Sequence, residues 1–138
     1  METIHERSYG IIPVKKKGDQ WQICMVQLHA GHWGFPKGHP EDGEEPLEAA
    51  SRELQEETSL HLNEIVTEEK FLEEYFFILQ GKRIHKIVTY WIGSVRGRAK
   101  KQALEIKSIK WVSLEKALEL ATFENTKNII HKVINALA

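Results

Sequence analysis

Gly38 to Leu60 read GHPEDGEEPLEAASRELQEETSL. Within this stretch, Glu53, Glu56 and Glu57 stand at offsets 0, 3 and 4, a spacing that stacks side chains on one face of a helix. Three like charges held that close repel one another unless something positive sits among them. A hard divalent cation with oxygen ligands answers the need, and Mg²⁺ commonly brings phosphates with it. Alone, Glu-x-x-Glu-Glu reads as a solvated helix face. Here Arg52 is the one cation nearby on the helix, too few to neutralise the cluster. Pro46, with Glu44 and Glu45 before it, starts the helix, which runs to about Thr58. Leu47, Ala50 and Leu54 give it an apolar stripe, with the three glutamates off that stripe.

Outward from this helix, the chain alternates strand and turn signals. Tyr9 to Val14 reads as a strand, Lys15 to Gln20 as a solvated turn, and Trp21 to Leu28 as the returning strand of a hairpin. Ala30 to Asp42 is a loop punctuated by glycine and proline. Lys70 to Leu79 and Ile84 to Val95 read as strands joined around Gln80-Gly81-Lys82-Arg83, and Ile106 to Val112 as another. Ser113 caps a helix through Leu120, and Asn125 to Leu137 carries an amphipathic pattern. The order β-β-α-β-β-β-α-α predicts one α/β domain over residues 1–138, a sheet with helices on its faces.

Composition narrows the classes. The chain has 138 residues, enough for one core, and a formal net charge of −1, which argues against a bulk nucleic-acid binder. Its single cysteine, Cys24, lies in an apolar run and reads as a small core residue. There is no signal-peptide pattern at the N-terminus and no run approaching a membrane span, so a cytoplasmic protein without membrane contact is expected, and a monomer. His5, His29, His61, His85 and His131 are scattered without ligand spacing.

Gly38, five residues, Glu44, seven residues, then Arg52-Glu53-Leu54-Gln55-Glu56-Glu57-Thr58-Ser59-Leu60 resembles the Nudix box. Eight of its nine defined positions match; Ser59 stands where the family has glycine. That position follows the helix, where a left-handed backbone favours glycine, so serine implies local strain without loss of a metal ligand. The resemblance extends further. His32-Trp33-Gly34-Phe35-Pro36-Lys37-Gly38-His39, Lys86 to Trp91, Glu105 before Trp111, and Leu114 to Phe123 are similar to blocks of asymmetrical diadenosine tetraphosphate hydrolases.

That resemblance implies an α/β/α sandwich with a mixed central sheet and metal-dependent hydrolysis of a dinucleoside polyphosphate. Water would attack at phosphorus, turning diadenosine tetraphosphate into ATP and AMP. It implies that Glu53, Glu56, Glu57 and the Gly38 carbonyl hold Mg²⁺ or Mn²⁺, and that Arg52 holds the carboxylates in place through Glu44. A cluster glutamate or Glu105 would take the proton of the attacking water. Lys37, Lys86 and His32 would meet the phosphates, His39 would orient its loop, and Tyr90 or Phe123 would stack on a base. Other readings are a pyrophosphatase for ADP-ribose, a modified nucleoside triphosphate or a capped RNA 5′ end, and a nucleotide sensor without turnover.

Overall fold

The computed structural model describes residues 2–101, 104 and 106–138. A mixed sheet runs through the middle. Strand β1 (Thr3–Lys17) turns into β2 (Gln20–Leu28), with Val14 opposite Ile23 and Lys17 opposite Gln20. Two very short strands follow, β3 (Trp33–Gly34) on β2 and β4 (Lys37–Gly38) on β1, inside the segment that reads as loop. Helix α1 (Pro46–Thr58) comes next, then the long hairpin of β5 (His61–Leu79) and β6 (Lys82–Arg96). Gln80 and Gly81 both have positive φ, as a two-residue turn between right-twisted strands requires. β7 (Ile106–Ser113) pairs with β2; α2 (Leu114–Leu120) and α3 (Glu124–Leu137) close the chain.

The strand order is β3-β2-β1-β6-β5, and β1 lies parallel to β6 from Thr3↔Arg83 to Val14↔Ser94. That parallel pair is possible because α1 and β5 intervene in sequence and supply the crossover. α1 covers one face, where Ala50, Leu54 and Leu60 pack on Ile11, Cys24 and Trp91. α2 and α3 cover the other, where Ile129, Ile130 and Val133 meet Ile12, Met25, Val88 and Ile92. Two buried faces make the sheet the middle layer of an α/β/α sandwich. Burying a side chain such as Leu54 is worth about 1.5–3 kcal/mol, which fixes α1 on the sheet. Burial pushes the Cys24 thiol up to about 12, so it acts as a core residue. No helix among the described residues is long and apolar enough to cross a membrane.

Both ends of α1 follow local chemistry. Pro46 occupies its first turn, and the Glu45 N–H donates to the Glu48 carboxylate at 3.0 Å. At the other end Ser59 takes φ 67°, the left-handed conformation that glycine adopts more readily. Its N–H donates to the Gln55 carbonyl at 2.9 Å, and its hydroxyl donates to the Lys100 carbonyl at 3.0 Å. The hydroxyl bond offsets the backbone strain, which is how serine fits where the resemblance calls for glycine. Ser59→Ala keeps the strain and loses that bond, so it destabilises by about 0.5–1 kcal/mol in urea titration. Ser59→Gly exchanges one effect for the other and stays within about 0.5 kcal/mol of the parent chain.

Candidate active site

Arg52 is the hub of the acidic segment. A guanidinium has five N–H donors, and each has a partner here. Nε and Nη2 donate to the two Glu44 oxygens at 2.8 and 3.1 Å, a bidentate grip. Nη1 donates to Glu53 at 3.0 Å and to Glu56 at 3.1 Å. Nη2 also donates to the His39 carbonyl at 2.9 Å, tying the helix to the preceding loop. The Arg52 bond holds the Glu44 carboxyl below the usual range. The same loop is fixed from β1, because a His39 ring nitrogen lies 3.1 Å from the Arg7 carbonyl.

Glu57 stands apart from that network. Position 57 continues the spacing 47, 50, 54, so its side chain follows the apolar stripe into the protein and is only 7 % exposed. This corrects the expectation that all three glutamates lie off the stripe. Its hydrogen-bond donor is the Lys37 backbone N–H at 3.2 Å. Burial pushes its carboxyl well above the ordinary range, and the neighbouring Glu53 carboxylate adds to the effect. Gly38 closes the pocket on the other side: a Cβ there would overlap the Glu53 carboxylate.

These features answer whether a divalent cation fits. Glu53 and Glu57 form an acidic pair beneath the Gly38 backbone; Arg52 gives Glu53 one N–H, and none of its five donors goes to Glu57. Two carboxylates there share a single Arg52 contact, and oxygen donors are present. Glu56 is more exposed, turned along Arg52, so among the described residues no three acidic or imidazole groups converge on one point. Glu105 lies outside the described residues.

On the α3 side of the sheet, a cleft of about 740 Å³ opens beside this pair. Glu57 and Lys37 line one end, and Phe123, Glu124 and Asn125 of the α2–α3 junction line another part of the wall. His32 and Phe123 face each other with ring centroids 5.2 Å apart. Burial, and then Lys37, lowers the His32 pKa, which favours the neutral imidazole. The Trp33 N–H donates to the Thr122 hydroxyl at 3.0 Å. Tyr90 forms part of the cleft wall, but it is only 2 % exposed and sits edge-on against Phe35, whereas Phe123 is 54 % exposed.

Lys86 projects from β6 opposite Tyr75. Its ammonium pKa is lowered by burial and by Lys37, while Glu6 and Glu73 oppose that shift. Glu73, Tyr75 and Phe77 also line the cleft, and sequence reasoning did not single them out. Their signal is the period-2 alternation of β5, which puts 73, 75 and 77 on one face. His5 and His85, which look scattered in sequence, are neighbours through the parallel β1–β6 register, with ring nitrogens 2.8 Å apart. His85 also pairs with Glu74. His85 also stacks on Phe76, its register partner in β5, with ring centroids 4.6 Å apart.

Comparison with known proteins agrees with this architecture. The model of the NUDIX domain matches residues 4–133. The chain is 37% identical to the asymmetrical bis(5′-nucleosyl)-tetraphosphatase of Rattus norvegicus over 131 residues, 88% of each chain. It is 28% identical to an RNA pyrophosphohydrolase of Bartonella henselae, over 95% of this chain and 88% of that one. Among solved structures, a Caenorhabditis elegans Ap4A hydrolase binary complex superposes with a TM-score of 0.74 at 26% identity, covering 96% of this chain and 97% of the other. A family match over nearly the whole length, on a helix carrying Arg52, Glu53, Glu56 and Glu57, identifies the chain as a member of the Nudix family and a Nudix hydrolase.

Proposed function

We propose that this hydrolase cleaves a dinucleoside polyphosphate, converting diadenosine tetraphosphate into ATP and AMP with a divalent cation, Mg²⁺ or Mn²⁺. The observation that carries this reading is the continuity of the cleft. One cleft is lined by the buried Glu57 carboxyl, by Lys37, and by an aromatic surface at Phe123 and His32. Acid, cation and aromatic in one cleft suit the parts of a nucleotide: reacting phosphate, phosphate chain, base.

Glu53, Glu56, Glu57 and the Gly38 carbonyl would hold the cation. When bound, it supplies charge neutralisation at the reacting phosphate and acidifies a water. The remaining work falls to side chains. Lys37 and Lys86 bind the polyphosphate as compact positive charges. His32, kept neutral, donates one N–H to a phosphoryl oxygen or packs against the base. Arg52 orients Glu53 and Glu56, and His39 orients the loop that carries Lys37. A glutamate of the cluster, or Glu105, accepts the proton of the attacking water. No nucleophilic side chain is required, because such transfers depend on positioning and charge stabilisation. Phe123 offers more free ring surface for stacking than Tyr90, which supports Phe123 as the principal base contact and Tyr90 as its supporting wall.

The similarity to an RNA pyrophosphohydrolase supports a second reading, cleavage of a triphosphorylated RNA 5′ end. Product analysis separates the two. With Mg²⁺, diadenosine tetraphosphate is expected to yield equal amounts of ATP and AMP, faster than RNA releases pyrophosphate. The reverse preference, or no cleavage of the dinucleotide, overturns the first reading. Phe123→Ala should raise KM about 5–150-fold, matching the loss of one base stack worth ~1–3 kcal/mol, with kcat within about twofold. An unchanged KM moves the stacking role elsewhere.

The metal reading makes its own demand. Glu57→Gln replaces a buried carboxyl that is costly to ionise, so the metal-free variant should melt at or above the parent temperature. Its kcat should fall by two orders of magnitude or more, to about the level expected for losing general-base catalysis. Gly38→Ala should abolish the rise in melting temperature that Mg²⁺ gives the parent protein, because the added methyl displaces Glu53. Calorimetric detection of undiminished Mg²⁺ binding in Gly38→Ala would rule out the assigned ligand set.

A further inference from the structure

One wall of the cleft carries an acceptor without a donor. Glu73 of β5 lines the cleft and is half-buried. Among the described residues no hydrogen bond or salt bridge reaches its carboxylate. Its oxygens are not sealed from solvent, so water serves them while the cleft is open. A ligand that fills the cleft expels that water. It must then offer a donor in return, or leave the carboxylate unpaired at a cost.

The surroundings narrow what that donor is. Glu73 pairs with Val88 of β6 and Tyr75 pairs with Lys86, so Glu73 and Lys86 are diagonal neighbours on one face. Burial pushes the Glu73 carboxyl up, while Lys37 and Lys86 act against that push. Both ammonium groups favour the ionised form, which accepts hydrogen bonds and donates none. A phosphoryl oxygen has no proton to give and would meet like charge here. From the α3 side, the Asn125 amide donates to the Glu74 carbonyl at 3.4 Å, which ties the α2–α3 junction bearing Phe123 to β5 beside Glu73. Glu73 thus feels Lys37 and lies close to the junction that carries the aromatic surface. In a nucleotide the part that joins phosphate to base is the ribose. Its 2′ and 3′ hydroxyls offer two adjacent donors to two carboxylate oxygens, and acidic side chains hold ribose hydroxyls in other nucleotide sites. The adenine edge offers one amino group flanked by acceptor nitrogens, a poorer match.

We propose that Glu73 is a specificity-determining residue that selects ribonucleotides, its carboxylate accepting from the 2′ and 3′ hydroxyls of a bound ribose. The proposal rests on the reading of the cleft as a nucleotide site, and it adds the sugar to the phosphate and base contacts. A nucleotide that lacks these hydroxyls fills the cleft but strands the carboxylate. Sugar selection then follows from the alternation of β5 rather than from the acidic helix.

Calorimetric binding of ATP, 2′-deoxy-ATP and 2′,3′-dideoxy-ATP in EDTA tests this without turnover. The parent chain should bind ATP about tenfold more tightly than the dideoxy nucleotide, the equivalent of roughly 1.4 kcal/mol, with the 2′-deoxy form between. In Glu73→Ala the three affinities should fall within about twofold of one another. Glu73→Gln, which keeps one acceptor oxygen, should retain part of the preference. Inorganic tripolyphosphate has no sugar and should bind Glu73→Ala at least as tightly as the parent, which separates loss of the ribose contact from damage to the cleft. A parent preference within twofold, or a preference that survives in Glu73→Ala, overturns the proposal. So does a change in the ATP-to-GTP ratio with the sugar preference intact, since the carboxylate then reads the base. If a Glu73-dependent ribose preference is found while diadenosine tetraphosphate is not cleaved, the substrate reading falls and the sugar contact stands.

Discussion

A single guanidinium organises the acidic half of this protein. Glu41, Glu44, Glu53 and Glu56 crowd around Arg52, and its five donors serve three of these carboxylates and the His39 carbonyl. The arrangement does two things at once. It makes an otherwise self-repelling helix tolerable, and it ties the loop through residue 39 to that helix, so Gly38 and Lys37 are held over the Glu53–Glu57 pair. The exposed members of the cluster contribute little to stability on their own, since solvent screens them. Their importance is positional. Exchanging Arg52 for lysine would keep a charge but lose the planar fork that reaches four groups in different directions.

Glu57 is the complement to that hub. The helix buries it because 57 falls on the same stripe as Leu54, yet no cation on the helix reaches it. Its position is costly to an ionised carboxyl and becomes favourable only when positive charge arrives from outside. The sheet carries this logic across to the cleft. β1 and β4 place Lys37 so that its backbone N–H supports Glu57 while Lys37 lines the same cleft. One short strand of two residues thus holds Lys37 beside the acidic pair by backbone pairing.

Much of this was legible in the sequence, and the rest was not for definite reasons. Helix α1 reads from Pro46 to Thr58 because its start signal, periodicity and charge pattern are all local. The hairpin turn at Gln80-Gly81 is equally local. β3 and β4 were hidden in a glycine- and proline-rich loop because two-residue strands exist only through pairing with distant partners. β1, β5 and β6 extend beyond the stretches that read as strand, since pairing with each other, not propensity, sustains their polar ends. The burial of Glu57 was available from the 3-4-3 spacing, but the charged residue type argued against it. Glu73, Tyr75 and Phe77 share a face by alternation, yet nothing local says that this face lines a cleft. His5 and His85 meet only through the parallel register, a tertiary fact.

Ser59 shows how a departure from the family pattern is absorbed. A left-handed residue with a side chain carries steric strain, and the fold answers with a hydrogen bond from that same side chain to Lys100. The Lys100 N–H in turn donates to the Thr58 carbonyl at 2.7 Å, so the chain after β6 is laced to the end of α1 at two successive residues. Glycine would relax the turn but leave this second strand of chain held by one bond fewer. The serine therefore exchanges backbone ease for a firmer hold of residue 100 on the end of α1. The last turn of α1 keeps its geometry, and Glu56 and Glu57 keep theirs with it.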